Sequence, residues 1–520
     1  MSLYRAIATV GGLTMVSRVF GFARDLMIAR YLGAGIQADA FFVALRLPNF
    51  FRSLFAEGAF TAGFLPLYSE TLNKGGKEAA KAFAESALAW LLVALLLFTL
   101  AAQIFMPLVM LGLAPGFQDE PQRFALAVEY TRITFPYLLF ISIAALYGAV
   151  LNGLGRFAAF AATPILLNLT MLLALPLFTP LLGSAGSALA WGTLAAGLVQ
   201  FLWLAFWSGR AGFSLRLRWP RRSGLTLRLF RLVLPAAIGA GATQVNLVIG
   251  VILASLLPAG AVSYLFYADR LNQLTVGVVG VAISTALLPL LSRHIARGEQ
   301  AEAMSQQNRA QEFALLLALP AMVALLVVPY PIISVLFERG AFDAVTARAT
   351  AEALFAYAIG LPAYILSRTL TPGFHARQDT ATPVRIAVAI IIFNLAVSVA
   401  LMPVLGHVGL ALATALAAWL NTGLLGWLLL RRGHWHADAR LKSRAWRILV
   451  AALAMGLALW GLNRGLSPWY GWGEAWRIAA LGLLVTGGFC VYLGAALALG
   501  ATRPAEWRSL ARRKVIQSQD

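Results

Sequence analysis

The chain has 520 residues, 60% of them hydrophobic and only 12% charged, where a soluble protein of this length carries about a quarter charged residues. That balance excludes a water-soluble globular enzyme and a disordered chain alike. It leaves an all-α integral membrane protein with room for about a dozen to fifteen crossings of roughly 20 apolar residues each. The 41 Lys and Arg against 21 Asp and Glu give a net charge of +20, but these charges stand between apolar runs, which excludes a nucleic-acid site and assigns them to topology and to anionic lipids of the inner leaflet.

Apolar runs bounded by charge, Gly or Pro predict about fourteen transmembrane helices, at residues 6–32, 36–57, 82–111, 125–152, 158–181, 186–208, 227–257, 262–292, 310–337, 347–374, 383–403, 408–430, 445–463 and 475–500. Met1 to Arg5 lead straight into the first run with no A-x-A-like cleavage site, so the first helix is expected to be retained. That helix carries Arg18, Arg24 and Asp25, and Gly12 and Gly21 predict a bend that exposes backbone at mid-depth. The second carries Asp39, Arg46, Arg52 and Glu57. At 100° per residue Asp39, Arg46 and Glu57 share a narrow sector with Arg52 to one side, an arrangement a kink at Pro48 would change. The eighth carries Asp269 and Arg270.

An ionisable side chain at a helix centre costs about 2.5–3.5 kcal/mol on insertion scales, so such residues face a protein or water-filled interior and suggest function. Arg5, Arg30 and Arg123, near predicted ends, read instead as snorkelling residues or buried ion pairs. Arg18, Arg24, Arg46, Arg52 and Arg270 outnumber Asp25, Asp39, Glu57 and Asp269, which predicts an anionic ligand. Paired N–H donors suit a diphosphate or similar group.

Alternate loops differ in charge. Lys74, Lys77 and Lys81, Arg156, the 209–231 and 431–447 loops and the 501–520 tail are basic, whereas the loops with Asp119 and Glu120, with Glu338, Arg339 and Asp343, and with Arg464 are nearly neutral. The positive-inside rule then places both termini in the cytoplasm. Cys490 lies in an apolar run as a packing residue. His434-Trp435-His436 reads as an interfacial Trp between solvated His residues, since two ligands do not make a metal site. With no acidic metal cluster, no positioned His and no G-x-x-x-x-G-K-[ST] loop, neither an enzyme nor a metal or nucleotide cofactor is expected.

The chain repeats itself at an offset of about 220–226 residues. Leu182-Gly183-x-x-Gly186-x-Ala188-Leu189-Ala190 recurs as Leu405-Gly406-x-x-Gly409-x-Ala411-Leu412-Ala413, and Phe64-Leu65-Pro66-Leu67-Tyr68-Ser69 as Leu287-Leu288-Pro289-Leu290-Leu291-Ser292. Six spans per offset give both halves one orientation. The expectation is two six-helix lobes, residues 1–215 and 225–432, related by a pseudo-two-fold axis along the membrane normal, with a cleft between them and two further helices in 445–500.

Ser17-Arg18-Val19-Phe20-Gly21-Phe22-Ala23-Arg24-Asp25, Gly33-Ala34-Gly35 leading to Ala38-Asp39-Ala40-Phe41, Arg46-Leu47-Pro48-Asn49, Arg52 and Glu57-Gly58-Ala59-Phe60 resemble the opening of the MurJ (MviN) family. Those proteins are lipid II flippases of the multidrug/oligosaccharidyl-lipid/polysaccharide exporter superfamily. The resemblance continues through Tyr267-Ala268-Asp269-Arg270-Leu271, Glu338-Arg339-Gly340-Ala341-Phe342 and Asp379-Thr380-x-Thr382-Pro383. It implies transfer of the undecaprenyl-diphosphate-linked peptidoglycan precursor from the cytoplasmic to the periplasmic leaflet of the bacterial inner membrane by alternating access, for cell-wall synthesis and cell shape. On the same basis Arg18, Arg24, Arg52 and Arg270 are substrate-binding, and Asp25, Asp39, Glu57, Asp269 and Arg46 are ion-pair or gating residues. The last two helices form a polyprenyl-tail groove, the protein works as a monomer, and enzymes of cell-wall synthesis are its partners. Some relatives carry sodium-site carboxylates on helices seven and eleven, but 227–257 and 383–403 hold no Asp or Glu here, which points to membrane potential or a proton as driver. The competing readings are an exporter of another lipid-linked oligosaccharide, a multidrug exporter, which wants a more acidic cleft, and a scaffold, which gives the mid-membrane arginines no purpose.

Overall fold

The computed structural model describes residues 3–53, 60–220 and 223–502, and among these the chain is helical with no strand. In the described residues each of the fourteen expected spans falls on one helix or on two consecutive ones. Nine helical segments among them are long and apolar enough to cross a membrane, so the protein is a multi-pass membrane protein. The chain divides into two compact units. Unit 1 is Met1–Ser263 with Arg339–Asp343, and unit 2 is Tyr264–Glu338 with Ala344–Asp520.

In unit 1, α1 (Leu3–Leu32) runs as one helix through Gly12 and Gly21, without a break at either. Helix α2 (Ile36–Phe51) likewise continues past Pro48. Helix α3 (Phe60–Leu113) holds a surprise, because its first arm, residues 60–75, lies where only a loop was expected. Gly76, at φ 73°, turns the chain into the second arm, in a conformation that side chains with a Cβ disfavour. Phe60, Phe64 and Tyr68, one turn apart, stack in series at 5.3 and 5.5 Å, and Phe64 stacks on Phe83 of the second arm at 5.4 Å. This aromatic contact buries one face of the first arm. Helices α4 (Pro121–Thr134) and α5 (Tyr137–Gly153) are divided at Pro136, and α6 (Phe157–Ala161), α7 (Thr163–Leu182), α8 (Ala185–Arg210) and α9 (Gly224–Ser255) follow.

Helix α10 (Ala261–Ala296) begins in unit 1 and continues into unit 2, which also holds α11 (Gln300–Val327), α12 (Pro329–Phe337), α13 (Ala344–Ile359), α14 (Leu361–His375), α15 (Ala381–Arg431), α16 (Ala439–Gly465) and α17 (Glu474–Ala498). Two predicted spans meet within α15 at Gly406, φ 54°, so the loop expected between them is a single tight bend. The two C-terminal helices pack within unit 2 through Val323, Ile448, Met455, Leu459, Leu484 and Tyr492. Close approach there depends on Gly456, where a Cβ would come within 2.6 Å of Val323.

Candidate functional site

Around α1, Asp25 accepts from Arg24 through Nε at 3.1 Å and Nη2 at 2.7 Å. The remaining donor of Arg24, Nη1, reaches Asn168 Oδ1 on α7 at 2.9 Å, and Asn168 Nδ2 donates to Ser17 O on α1 at 3.0 Å. Arg24 is thus held in a fixed plane by a carboxylate and an amide. Asn168 was missed in the sequence. Its signal was a lone amide inside the apolar run 158–181, the kind of residue that bonds across helices in a membrane.

Asp39 stands in the first turn of α2 and is fully buried. Its carboxylate accepts from Arg123 Nη2 at 2.6 Å, Gly260 N at 2.7 Å, Ser263 N at 2.8 Å and Ser263 Oγ at 2.5 Å. Two of these donors are backbone groups at the start of α10, so Asp39 caps that helix and meets the positive end of its dipole. Arg123 is 1% exposed, donates through Nη1 to Leu257 O at 3.1 Å and lies over the Phe117 ring at 3.9 Å. Of the two roles its place in the sequence allowed, snorkelling is overturned and the buried ion pair is what the structure contains. Pairing is what makes burial of either charge tolerable. Ser263 follows Asp39 by 224 residues, within the repeat offset, a coincidence the sequence displayed without revealing contact.

Next to this node, Ala341 N donates to Arg30 O at 2.8 Å. A Cβ on Gly33, whose φ is +60°, would lie 2.2 Å from Ala341 O, and one on Gly340 2.4 Å from Arg30 O. The motif around Gly340 therefore serves to dock residues 339–343 on the α1–α2 junction of unit 1.

The other sequence-predicted residues are placed as follows. Arg18 and Arg46 are half-buried. Arg52 donates to Asn49 Oδ1 at 3.4 Å and lines a cavity of about 60 Å³ with Tyr137, Thr163 and Gln200. In unit 2, Arg270 lies over the Phe266 ring at 4.5 Å, and Asp269 accepts from Gln273 at 3.4 Å. Glu57, Arg221, Arg222 and the tail from 503 lie outside the described residues.

At the basic end of unit 2, Asp379 accepts from Thr382 N and Oγ1 at 2.9 and 2.6 Å and from Arg432 at 2.6 Å. The Thr382 bonds first, then Arg432, hold its carboxyl well below the usual range. Burial, with Arg377 and Arg432 close by, pushes His434 down. Trp435 donates to Asn308 at 2.7 Å and Asn308 donates to His436 O at 3.1 Å, so this segment is pinned to α11. No group of three or more metal-ligating His, Cys, Asp or Glu side chains occurs among the described residues.

The family model of the lipid II flippase MurJ matches residues 28–480. This chain belongs to the MurJ lipid II flippase family. A probable lipid II flippase MurJ of Rhizobium tropici is 42% identical over 99% of this chain and 97% of its own length, and that of Rhizobium meliloti (strain 1021) is 44% identical over 88% and 86%. The lipid II flippase MurJ of Burkholderia cenocepacia is 37% identical over 96% and 97%. Among solved structures, a lipid II flippase MurJ in an inward closed conformation has a TM-score of 0.77 at 25% identity, covering 94% of this chain and 97% of the other. A multidrug resistance MATE family transporter, inward-facing, has a TM-score of 0.65 at 16% identity over 84% and 99%, a likeness of fold alone. The MurJ family is a family of lipid II flippases, which are transporters.

Proposed function

We propose that this protein flips lipid II, an undecaprenyl-diphosphate-linked disaccharide peptide, from the cytoplasmic to the periplasmic leaflet of the bacterial inner membrane by alternating access. The observation that carries this reading is the match, at 42% identity, to a probable lipid II flippase over nearly the whole of both chains. In this reading both termini are cytoplasmic, 1–215 and 225–432 are the two lobes, and 445–500 receives the polyprenyl tail. The protein acts as a monomer beside anionic lipids and the enzymes of cell-wall synthesis.

Arg18, Arg24, Arg52 and Arg270 engage the diphosphate, and Asp25, Asp39, Glu57, Asp269 and Arg46 serve as ion-pair or gating residues, Asp25 against Arg24 and Asp39 against Arg123. The packing of Arg24 supports such a role chemically. A diphosphate oxygen replaces Asn168 or Asp25 as acceptor, exchanging one hydrogen bond for another, so the desolvation already incurred by the guanidinium is not repeated. Asp39, bonded to the start of α10, is suited to gating because opening there separates four bonds at one carboxylate. Asp379 engaged by Arg432 and an α9 without a carboxylate speak against a sodium site and leave the membrane potential or a proton as driver, of which the potential is the one proposed here. That potential is worth about 2.3 kcal/mol per charge per 100 mV and returns an unliganded cationic site toward the cytoplasm.

The test is complementation of a depletion strain together with a leaflet assay for lipid II, with and without an ionophore. Arg270→Lys keeps the charge but not the paired donors and is expected to be impaired, Arg270→Ala more so, and Arg508→Ala nearly silent. Full activity of Arg24→Ala/Arg270→Ala overturns the diphosphate contact, and flipping indifferent to collapse of the potential overturns the reset.

A further inference from the structure

Unit 2 contains an open cavity of about 580 Å³ outside the residues assigned above to the substrate, lined by Pro329 and Tyr330 of α12, Arg348, Ala351, Glu352 and Phe355 of α13, and Val404, Leu405 and Val408 at the bend of α15. That volume is within the range of small-molecule sites. Its walls are held in place from behind: His407 Nε2 is 2.9 Å from Ala349 O, and the Tyr264 ring packs on the His407 ring at 5.2 Å.

The charges of this cavity are arranged unusually. Arg348 and Glu352 are four residues apart on one helix, where opposite charges ordinarily pair. Here they form no ion pair, and among the described residues neither carries a salt bridge. Arg348 turns instead toward the Tyr330 ring, 5.9 Å away, and both side chains are exposed. The polar residues Thr346, Arg348, Thr350 and Glu352 stand in the N-terminal part of α13 and the run from Ala353 is apolar, so the helix passes from polar to apolar at a boundary just after Glu352. Below that boundary the lining is Phe355 and Val408, and Val404 at the mouth is 82% exposed.

A cation and an anion one helical turn apart, about 6 Å along the axis, above an apolar wall, complement a zwitterion that carries a hydrocarbon chain. We infer that this cavity binds a phospholipid with a primary ammonium headgroup, phosphatidylethanolamine. Its phosphate sits on Arg348, its ammonium donates to Glu352, and one acyl chain lies along Phe355, Val404, Leu405 and Val408. The topology proposed above places it in the periplasmic leaflet, but recognition itself does not depend on that orientation.

The experiment is native mass spectrometry of the full chain in detergent, titrated separately with phosphatidylethanolamine, phosphatidylcholine and phosphatidylglycerol of the same acyl chains. Phosphatidylethanolamine is expected to bind most tightly, because phosphatidylcholine lacks the N–H donors and phosphatidylglycerol lacks the cation. Arg348→Gln and Glu352→Gln, both at exposed positions, are each expected to weaken it roughly tenfold, the loss of one charge-assisted hydrogen bond. Glu352→Gln is expected to leave phosphatidylglycerol binding no weaker than in the wild type, whereas a merely structural role predicts loss of both lipids. Equal binding of all three lipids, tighter binding of phosphatidylglycerol, or wild-type affinity in both variants overturns the inference. Displacement of phosphatidylethanolamine by an undecaprenyl diphosphate at equal concentration also overturns it, by assigning the cavity to the substrate's tail.

Discussion

Two carboxylate centres, Asp39 in unit 1 and Glu312 in unit 2, solve the same problem in opposite ways. Asp39 has one arginine, Arg123, and both are essentially inaccessible. The rest of its bonding comes from backbone N–H groups and Ser263, so the charges balance and every bond has one fixed donor. Glu312 sits among three arginines, Arg309, Arg440 and Arg444, with Asp438 also on Arg309. There the cations are in excess and Arg440 is half-exposed, at 49%. The first centre is specific and intolerant, because a lost partner leaves a buried charge. The second is redundant, because water, headgroups or another arginine replaces what is lost.

The largest expected effect tests that intolerance. Arg123→Ala or Asp39→Ala should each destabilise unit 1 by about 3–5 kcal/mol, the usual cost of orphaning one member of a buried pair. Asp39→Asn/Arg123→Met, which removes both charges, should recover part of the loss. Thermal unfolding of the purified protein measures this, and either single alanine variant melting with the wild type would erase the contrast between the two centres.

A middle-sized effect sharpens the same comparison at the α1–α2 junction. Gly33→Ala forces a Cβ against Ala341 O, whereas Gly183→Ala, at a similar φ of +66° with nothing within 4 Å, carries only the backbone cost of about 1–2 kcal/mol. Gly33→Ala should therefore lower the melting temperature clearly more than Gly183→Ala. Equal shifts would mean that the 339–343 loop yields freely, and that the neighbourhood of Asp39 is softer than its packing indicates.

The smallest effect belongs to the redundant centre. Arg440→Ala should cost no more than about 1 kcal/mol, in the range of exposed ion pairs, and the effect should shrink further in high salt. A loss as great as that of Arg123→Ala would show Glu312 to depend on one arginine after all.

The linear chain established the membrane class, the fourteen apolar segments and the family, because a run of about 20 apolar residues and a linear motif are local properties that survive without knowledge of neighbours. It also singled out Arg24, Asp39 and Arg270 as charges that need an explanation. It missed the helical first arm of α3, since residues 60–75 are too mixed to stand as a span and become helical by stacking Phe60, Phe64 and Tyr68 against the second arm. It expected Gly12 and Gly21 to interrupt α1, which runs as one helix through both. The packing of helices assigned Arg123 to Asp39 across 84 residues and Asn168 to Arg24 across 144. Hydrogen bonds at that separation depend on where helices pack, and packing in a membrane follows from small residues and shape rather than from any pattern along the chain.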